Sequence, residues 1–376
     1  MPYLVSLKNS VSLDSFMNYD LTYPKSLQVQ QLISNSFSFG NFNAFAGSFS
    51  KEIIDRLKRC PLVAEVTPDI MLKAYEIFKQ DDAPRHLARL SRKKRLNPHR
   101  NYSYYFDSNY IGMQVNAYVL DSGVQIYHPE FEGRAIHGRD FTRDGPGDVN
   151  GHGTHVAGII GSRTYGVAKN VQIVEVKALN DKGAGSLSTI IAAIEFAANH
   201  RLQSGRMGVA NLSLGAYKNA MLNSAIEKAV RTGLVIVAAA GNSNIDACLT
   251  SPASSGAAIT VGAIDDFNDS LANFSNFGEC VDVFSSGAYV ESINIKDSSK
   301  PSILSGTSMS APIVTGLVAN LLSEGIPPHL IKETLMKRSV KNRMHLTALH
   351  LKKRTPNRIA YTGIEYEESK AEIKSV

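Results

Sequence analysis

From residue 115 onward, short apolar runs alternate with stretches of helical periodicity, and no other feature constrains the fold of this chain as strongly. Runs without a polar face are typical of strands that are buried on both sides of a sheet. The predicted strands are 116–120, 171–176, 208–212, 233–238 and 258–261, and the predicted helices are 189–200, 219–232 and 309–323. This alternation predicts an α/β fold, a doubly wound parallel sheet with flanking helices, in which chemistry gathers at the carboxyl ends of strands.

The N-terminal part of the chain has a different texture and predicts a separate small domain. Its predicted elements are strand segments at 3–8, 36–49 and 62–66 and a helix at 51–59 with Ser50 as N-cap. This order predicts a small α+β domain, ferredoxin-like in arrangement. We expect polar, connecting surface structure at 83–110. The expected division of the chain is 1–78 for the small domain, 79–362 for the α/β domain and 363–376 for a charged tail.

The net charge of +6 does not predict a nucleic-acid partner. Residues 1–105 hold 15 Lys and Arg against 9 Asp and Glu, whereas the rest of the chain holds 25 of each. Much of the excess lies in the basic run 92–95, which we expect to be a solvated loop because no aromatic residues interleave with it. We therefore expect neither nucleic-acid binding nor an extended basic surface.

Targeting and membrane segments are not evident in the sequence. No stretch approaches the ~18 to 20 consecutive apolar residues of a membrane-spanning helix. The first eight residues form too short an apolar run for a signal peptide, and no cationic leader precedes them. Either the protein is not exported by the usual route, or its true N-terminus lies upstream of this chain.

Three short segments carry residues with catalytic potential. Asp121-Ser-Gly follows an apolar strand, His152-Gly-Thr-His155 lies among glycines where a helix is predicted to begin, and Gly-Thr-Ser308 is a turn into a helix. Taken singly, each has a plainer interpretation: a turn-forming acid, a structural histidine and a helix cap. The histidine pair at i, i+3 without a third matching ligand is a poor zinc signal.

Together the three segments fit one mechanism, nucleophilic catalysis by a serine. A serine hydroxyl needs a neighbouring imidazole to take its proton and a buried carboxylate to orient that imidazole. Asn242 follows a fourth segment, an apolar strand, and its amide suits an oxyanion-hole donor. The backbone N–H of Ser308, at a helix N-terminus, is a candidate for the second donor.

The order Asp, His, Asn, Ser and the surrounding residues resemble the subtilase family of serine proteases, most closely its proteinase K-like branch. The matching segments are Asp121-Ser-Gly, Gly151-His-Gly-Thr-His-Val-Ala-Gly and Gly306-Thr-Ser-Met-Ser-Ala-Pro. The resemblance runs nearly end to end and includes an N-terminal inhibitor-type propeptide with an intact Phe45-Ala-Gly-Ser-Phe. It implies a serine endopeptidase made as a self-processing zymogen, with residues 1–78 as its own intramolecular inhibitor.

Carried over position by position, the resemblance implies that Asp121 orients His152, which acts as general base and then general acid on Ser308. Asn242 and the Ser308 N–H would hold the oxyanion. The implied substrate-binding residues are Ser213, Leu214, Gly215, Ala240 and Gly241. Of these, 213–215 would pair with the substrate backbone as an added strand, with 179–186 facing it. The small uncharged walls imply an apolar or aromatic residue before the scissile bond.

Two structural features also follow from the resemblance. Cys248 and Cys280 match a pair that is disulfide-bonded in some relatives, which would imply an oxidising compartment. Asp282 and the carbonyl groups of Gly256 and Ala258 match a structural calcium site. No cofactor is required for the catalysis itself.

Two other functions compete with the endopeptidase. A non-catalytic protein of the same fold would be indicated by loss of one of the four catalytic residues, and all four positions are filled. An esterase of the α/β-hydrolase kind needs a Gly-x-Ser-x-Gly elbow and the chain order Ser, Asp, His, whereas the order here is Asp, His, Ser. We therefore expect a monomeric protease acting on polypeptides, either secreted or in an endomembrane or vacuolar lumen.

Overall fold

The computed structural model describes residues 2–70, 77–97, 101–344, 352 and 354–364. The chain forms two compact units, Met1–Ala74 and Tyr75–Val376. Each unit has a hydrophobic core of its own.

The N-terminal unit is a small antiparallel sheet with two helices over residues 2–70. Its elements are β1 (Pro2–Leu7), α1 (Leu13–Asp20), β2 (Ile33–Phe39), β3 (Phe42–Ser48), α2 (Lys51–Arg59) and β4 (Val63–Pro68), and the strand order is β2-β3-β1-β4. Ser50 caps α2, since its hydroxyl accepts the N–H of Ile53 at 3.4 Å. Phe16, Phe45 and Leu57 are fully buried between sheet and helices. The predicted small α+β domain is confirmed.

The described part of the C-terminal unit contains six α-helices and sixteen strands. The helices are α3 (Arg85–Leu90), α4 (His152–Gly161), α5 (Leu187–Ser204), α6 (Ala220–Arg231), α7 (Thr307–Ser323) and α8 (Pro328–Arg338). The strands are β5 (Ile77–Gln80), β6 (Tyr104–Asp107), β7 (Val115–Asp121), β8 (Ala135–Asp140), β9 (Gln172–Lys177), β10 (Met207–Leu212), β11 (Ala216–Tyr217), β12 (Val235–Ala239), β13 (Thr250–Ser251), β14 (Ile259–Asp265), β15 (Ser270–Leu271), β16 (Val283–Ser286), β17 (Val290–Ser292), β18 (Ser302–Leu304), β19 (Val340–Lys341) and β20 (Arg358–Ile359).

A central, mostly parallel sheet organises this unit. Its strand order is β19-β20-β16-β14-β12-β10-β7-β9-β8, and β15 pairs with β14 at one side. Neighbouring strands are parallel from β20 to β8, while β19 and β15 are antiparallel additions. The four adjacent strands β12, β10, β7 and β9 end at Ala239, Leu212, Asp121 and Lys177. Their carboxyl ends therefore form one continuous edge, where a site is expected in such sheets.

Helices cover both faces of the sheet. Because successive strand residues point to opposite faces, Val119 and its neighbour Leu120 enter different cores. Val119 packs with residues of α4 and α7, such as Ile159 and Ile313, whereas Leu120 packs with residues of α5 and α6, such as Ile194. The predicted doubly wound α/β fold is confirmed.

The interpretation of 83–110 as surface structure is wrong. This stretch contains α3 and β6, and Leu87 and Tyr104 in it are fully buried in the main core. Arg89 is 1% exposed, and its guanidinium donates to both carboxylate oxygens of Asp269, at 2.7 and 3.2 Å. Arg89 makes this stretch look polar in the sequence. The residue is nevertheless buried, because Asp269, far along the chain, neutralises its charge.

Among the described residues, one bent pair of helices is the sole weak indication of a membrane-spanning segment. Within the described ranges, no single helix has the length and apolar character needed to cross a bilayer. The pair Thr307–Ser323 and Pro328–Arg338 meets the length and composition requirement only when joined, and it is bent by 117°. Most of α7 is buried in the protein core, which explains its apolar composition.

Candidate active site

Asp121 and His152 form a hydrogen-bonded pair in which the acid is fully buried and the histidine is partly exposed. Asp121 is the last residue of β7 and is fully buried, and His152 is the first residue of α4. The imidazole Nδ1 lies 2.7 Å from Oδ1 of Asp121, which also accepts the backbone N–H of Ser122 at 2.8 Å. The carboxylate therefore favours the proton at Nδ1 and leaves Nε2 as the nitrogen that can take a proton.

Glycines allow α4 to begin directly against the end of β7. A Cβ on Gly153 would overlap the carbonyl oxygen of Gly123 and lie 3.1 Å from the Cβ of Asp121. Gly123 itself has a φ of +114°, which an L side chain rarely adopts. The glycines in these two segments are thus a steric condition for bringing His152 to Asp121.

The electrostatics distinguish the two histidines of α4. The pKa of His152 is raised above its usual 6.5, mainly by the negative charge of Asp121 and against the opposing effect of burial. Burial lowers the pKa of His155 to about 4, and its Nε2 lies 3.1 Å from the carbonyl oxygen of Ser302. His155 is therefore a neutral structural residue near pH 7, whereas His152 is suited to take up a proton.

Asp148 fixes the turn that leads into His152, and sequence reasoning missed it. Its Oδ1 accepts the Ser122 hydroxyl at 3.0 Å and the Gly151 N–H at 2.8 Å. Its Oδ2 accepts the N–H and hydroxyl of Thr154 at 2.8 and 2.7 Å. The signal available in the sequence was an acid four residues before the histidine in a glycine-rich segment.

Ser308 lies in the first turn of α7, half-buried, beside the carboxyl end of β10. Its hydroxyl lies 3.4 Å from the carbonyl oxygen of Ser213, which is long for a bond between oxygens. The Ser213 hydroxyl in turn donates to the Ser308 carbonyl oxygen at 2.9 Å. The backbone of Ser308 is thus anchored while its hydroxyl is only weakly engaged, which leaves it available for another acceptor.

The Asn242 side chain and the Ser308 backbone nitrogen lie close together at the start of α7. The Asn242 Oδ1 accepts the N–H and hydroxyl of Thr307 at 2.8 and 2.9 Å, which turns the amide nitrogen Nδ2 outward. A Cβ built on Gly306 would lie 3.3 Å from this Nδ2 and 3.7 Å from the Ser308 nitrogen. The two nitrogens therefore lie within reach of one point, a condition that the donors of an oxyanion hole must meet.

Thr307 is a second residue that sequence reasoning missed. It is fully buried, and its hydroxyl accepts the Gly241 N–H at 3.1 Å while donating to Asn242. A threonine before a helix is by default a cap, so its position between Gly306 and Ser308 carried no separate signal. Its contacts make it a positioning residue for Asn242.

A cavity of about 450 Å³ adjoins the Asp121–His152 pair. Its lining includes Ser213, Leu214 and Gly215 from one segment and 183–185 from another. Residues 213–215 follow β10 and belong to no strand, so their backbone offers an edge to an added strand. The structure thus brings His152 and the predicted 213–215 segment to one cleft.

Ala240 and Gly241 lie behind Asn242, at the end of β12. The buried Ala240 has a carbonyl oxygen that accepts the Asn276 side-chain amide at 2.8 Å. Gly241 has a φ of +102°, and a Cβ there would overlap the same amide. Among the described residues, neither belongs to the lining of the 450 Å³ cavity.

The predicted disulfide is present, with Cys248 and Cys280 joined at 2.05 Å. The three predicted calcium donors, Asp282, Gly256 and Ala258, also come together, but they contact the ammonium of Lys332. With this side chain between them, they do not fit a resident calcium ion. Among the residues that the structure describes, no other group of three or more His, Cys, Asp or Glu could hold a metal.

Comparison with known proteins gives a consistent result. The Subtilase family matches residues 115–361, and the Peptidase inhibitor I9 family matches residues 3–75. The subtilase-type proteinase RRT12 of Saccharomyces cerevisiae is 41% identical over 96% of this chain and 82% of its own length. Cerevisin of the same yeast is 38% identical over 96% of this chain but 59% of its own length. The crystal structure of a cold-adapted subtilisin-like serine proteinase superposes with a TM-score of 0.67, at 38% identity over 76% of this chain and 100% of its own.

The fold and these relatives define the class of protein: a serine protease built on a doubly wound sheet. The chain belongs to the subtilase family. Its N-terminal unit carries an inhibitor-type propeptide, as the sequence predicted.

Proposed function

We propose that the chain is a self-processing serine endopeptidase in which Asp121, His152 and Ser308 form the catalytic triad. The observation that carries the proposal is the position of the Asn242 Nδ2 and the Ser308 nitrogen, 3.3 and 3.7 Å from one point beside Gly306, since a tetrahedral oxyanion needs two N–H donors within reach. The hydrogen-bonded Asp121–His152 pair lies at the same edge of the sheet. These groups together supply a nucleophile, a base, an orienting carboxylate and an oxyanion hole.

In the proposed acylation step, the Ser308 hydroxyl attacks the scissile carbonyl carbon while its proton passes to the His152 Nε2. The new C–O bond converts the carbonyl oxygen to an oxyanion, which the Asn242 amide and the Ser308 N–H stabilise. Asp121 stabilises the imidazolium without taking its proton. The C–N bond then breaks as His152 donates its proton to the leaving amine.

Deacylation repeats these roles with water as the nucleophile. His152 takes a proton from water, and the resulting hydroxide equivalent attacks the acyl-enzyme carbonyl carbon. The oxyanion forms in the same hole, the C–O bond to Ser308 breaks, and the serine oxygen recovers the proton. No metal or organic cofactor takes part in either half.

The substrate is proposed to be an extended polypeptide bound as an added strand along Ser213, Leu214 and Gly215. Backbone hydrogen bonding of this kind accepts many sequences, so specificity rests on side-chain pockets. The cavity wall is mainly apolar, and its carboxylate, Asp121, is held by His152. This apolar lining supports the proposal of an apolar or aromatic side chain before the scissile bond, whereas Ala240 and Gly241 lie outside the cavity and enter the proposal through the family resemblance alone.

The proposed division of labour along the chain is an inhibitor domain over 1–78, a catalytic domain over 79–362 and a tail over 363–376. The match of the inhibitor family to residues 3–75 and the compact unit Met1–Ala74 support the first boundary. Residues 77–80 pair with 104–107 as β5 and β6 of the other unit. We place the maturation bond close to residue 78; a cut there would fall within β5, a few residues after the ends of the inhibitor-family match and of the first compact unit.

The proposed setting is an oxidising one, outside the cell or in an endomembrane or vacuolar lumen, with the catalytic domain acting as a monomer. The Cys248–Cys280 disulfide supports an oxidising compartment, because such bonds are rare in reducing cytosol. Non-reducing mass analysis of the protein from its native source would detect the bridge, and a reduced pair there would contradict this placement.

Active-site labelling tests the function directly. The matured protein is treated with a fluorophosphonate and the adduct is located by peptide mapping, with Ser310 in the same peptide as an internal control. We expect one adduct on Ser308, and loss of both labelling and peptide hydrolysis in Ser308→Ala. Hydrolysis should be fastest for peptides with Phe or Leu before the cleaved bond and slowest for Asp or Lys. Labelling elsewhere, or hydrolysis that survives Ser308→Ala, would contradict the proposal.

A further inference from the structure

The side chain of Lys332 lies inside the donor set that the family resemblance assigns to calcium. Lys332 is in the second turn of α8. Its Nζ is 2.9 Å from Oδ2 of Asp282, 3.1 Å from the carbonyl oxygen of Gly256 and 2.9 Å from that of Ala258. All three donors named from the sequence therefore meet at one ammonium group.

The number and spacing of these acceptors match an ammonium. A lysine ammonium has three N–H donors and no acceptor, and three oxygens lie at hydrogen-bond distance from it. Calcium instead takes about six to eight oxygen ligands at roughly 2.3 to 2.6 Å. The donor set contains one carboxylate, Asp282, so a single positive charge balances it.

The contact ties α8 to the sheet. Gly256 and Ala258 come just before β14, and Asp282 comes just before β16, its parallel neighbour. Asp282 is fixed in turn, because its Oδ2 accepts the Thr260 N–H at 2.9 Å and its own N–H donates to the Thr260 carbonyl oxygen at 2.9 Å. A cation here therefore joins one helix to the amino ends of two strands.

Solvent can reach this contact. The side chain of Lys332 is 32% exposed and that of Asp282 is 15% exposed. An ion from solution could therefore enter if the lysine side chain were shortened. The carboxylate and two carbonyl groups left behind are hard oxygen donors of the kind that calcium prefers.

We propose that Lys332 is a built-in cation that replaces calcium at this site. The ammonium is covalently attached to the chain, so a chelator cannot remove it. Calcium therefore does not contribute to the stability of the C-terminal unit by binding at this site. This role requires only the geometry around Lys332 and does not depend on the proposed catalytic roles.

Thermal unfolding of the full chain with Ser308→Ala, which excludes self-digestion, provides the test. The variants are Lys332→Met, Asp282→Asn and their combination, with Lys337→Met on the exposed face of the same helix as the matched control. Each is measured in excess CaCl2 and in excess EGTA. We expect the parent and Lys337→Met to have the same Tm in both. In EGTA, Lys332→Met should lose about 2 to 4 °C. Calcium should restore part of this loss in a saturable way, and Asp282→Asn should abolish the restoration.

Two results would overturn the proposal. One is a parent protein that is stabilised by calcium in a way that Asp282→Asn abolishes, since the site would then hold the metal. The other is a Lys332→Met variant with the Tm of the parent in EGTA, since the ammonium would then contribute nothing. The first measurement needs no substitution at Lys332, so it remains informative whatever the variant's yield.

Discussion

Thr307 provides a sharp test of how the oxyanion hole is held in place. Its fully buried hydroxyl donates to the Asn242 Oδ1 at 2.9 Å and accepts the Gly241 N–H at 3.1 Å. Thr307→Val replaces that hydroxyl by a methyl group of similar size. The Thr307 N–H still donates to Asn242 at 2.8 Å, so the amide is loosened rather than released.

The expected magnitude follows from these contacts. One of two hydrogen bonds to the Asn242 oxygen is lost, and a neutral hydrogen bond is worth about 1 kcal/mol. If the transition state loses this stabilisation and the bound substrate does not, kcat falls roughly 5- to 10-fold. Removal of the donor itself by Asn242→Ala should cost about 10²- to 10³-fold, a range established in a subtilisin, a member of this family. KM should change little, because no substrate contact is removed.

A double-mutant cycle on the matured enzyme distinguishes positioning from general damage. The variants are Thr307→Val, Asn242→Ala and both together, with Thr307→Ser as a control that keeps the hydroxyl. We expect Thr307→Ser to have nearly the parental kcat and the double variant to be no slower than Asn242→Ala alone. If Thr307→Val slows the Asn242→Ala enzyme by the same factor as the parent, Thr307 acts through the fold and the reasoning is refuted.

Two further predictions concern imidazole protonation. Because Asp121 raises the pKa of His152 above 6.5, kcat/KM should increase with pH through a pKa above 6.5. Asp121→Asn should move this limb to lower pH and reduce kcat by about 10⁴-fold, as in other serine proteases, and an unmoved limb in its pH–rate profile would contradict the assignment. Burial lowers the pKa of His155 to about 4 and that of His86 to about 3. In the unfolded chain these two histidines bind protons with a pKa near 6.5, whereas in the folded chain they stay neutral down to about pH 4 and about pH 3. As the pH is lowered from 6.5 towards these values, the free energy of unfolding should therefore decrease by roughly 1.4 kcal/mol per pH unit and group. Urea unfolding of Ser308→Ala with and without His155→Gln measures this, and equal slopes for the two would count against it.

The sequence was sufficient to predict the strands of the central sheet, because strands buried in a parallel sheet have no polar face. The predicted 116–120 became β7 (Val115–Asp121), and the predicted 208–212 became β10 (Met207–Leu212). The alternation with helices then placed the carboxyl ends of these strands at one edge. Asp121 could be singled out because it ends such a strand and because its segment resembles a known family.

Two of the missed features depend on contacts between residues that are distant in sequence. Arg89 looked like part of a polar connection, and only its pairing with Asp269 makes burial favourable. Lys332 was not singled out in the sequence, and its three acceptors come from two other segments. Composition and periodicity report local preference, so they carry no signal for such partners.

Thr307 and Asp148 were missed for a different reason. Thr307 lies within a segment that the sequence analysis had singled out and Asp148 lies four residues before His152, but a threonine or aspartate near a helix N-terminus is most often a cap. Their specific roles depend on which donors face each oxygen, and Asp148 satisfies four donors at once. Such a network is visible only when the turn and the strand end are placed together.

The central claim is that Ser308 cleaves its own chain to release the catalytic domain. The most direct measurement expresses the full chain beside Ser308→Ala and follows intact mass and N-terminal sequence over time. The account predicts that the parent loses about its first 78 residues, as the proposed domain boundary requires, while Ser308→Ala stays whole. It also predicts that a small amount of matured parent, added to Ser308→Ala, cuts that chain near residue 78 more slowly than the parent cuts itself. Equal maturation of both proteins when each is purified alone, or a parent that is neither cut nor able to hydrolyse protein, would contradict the claim.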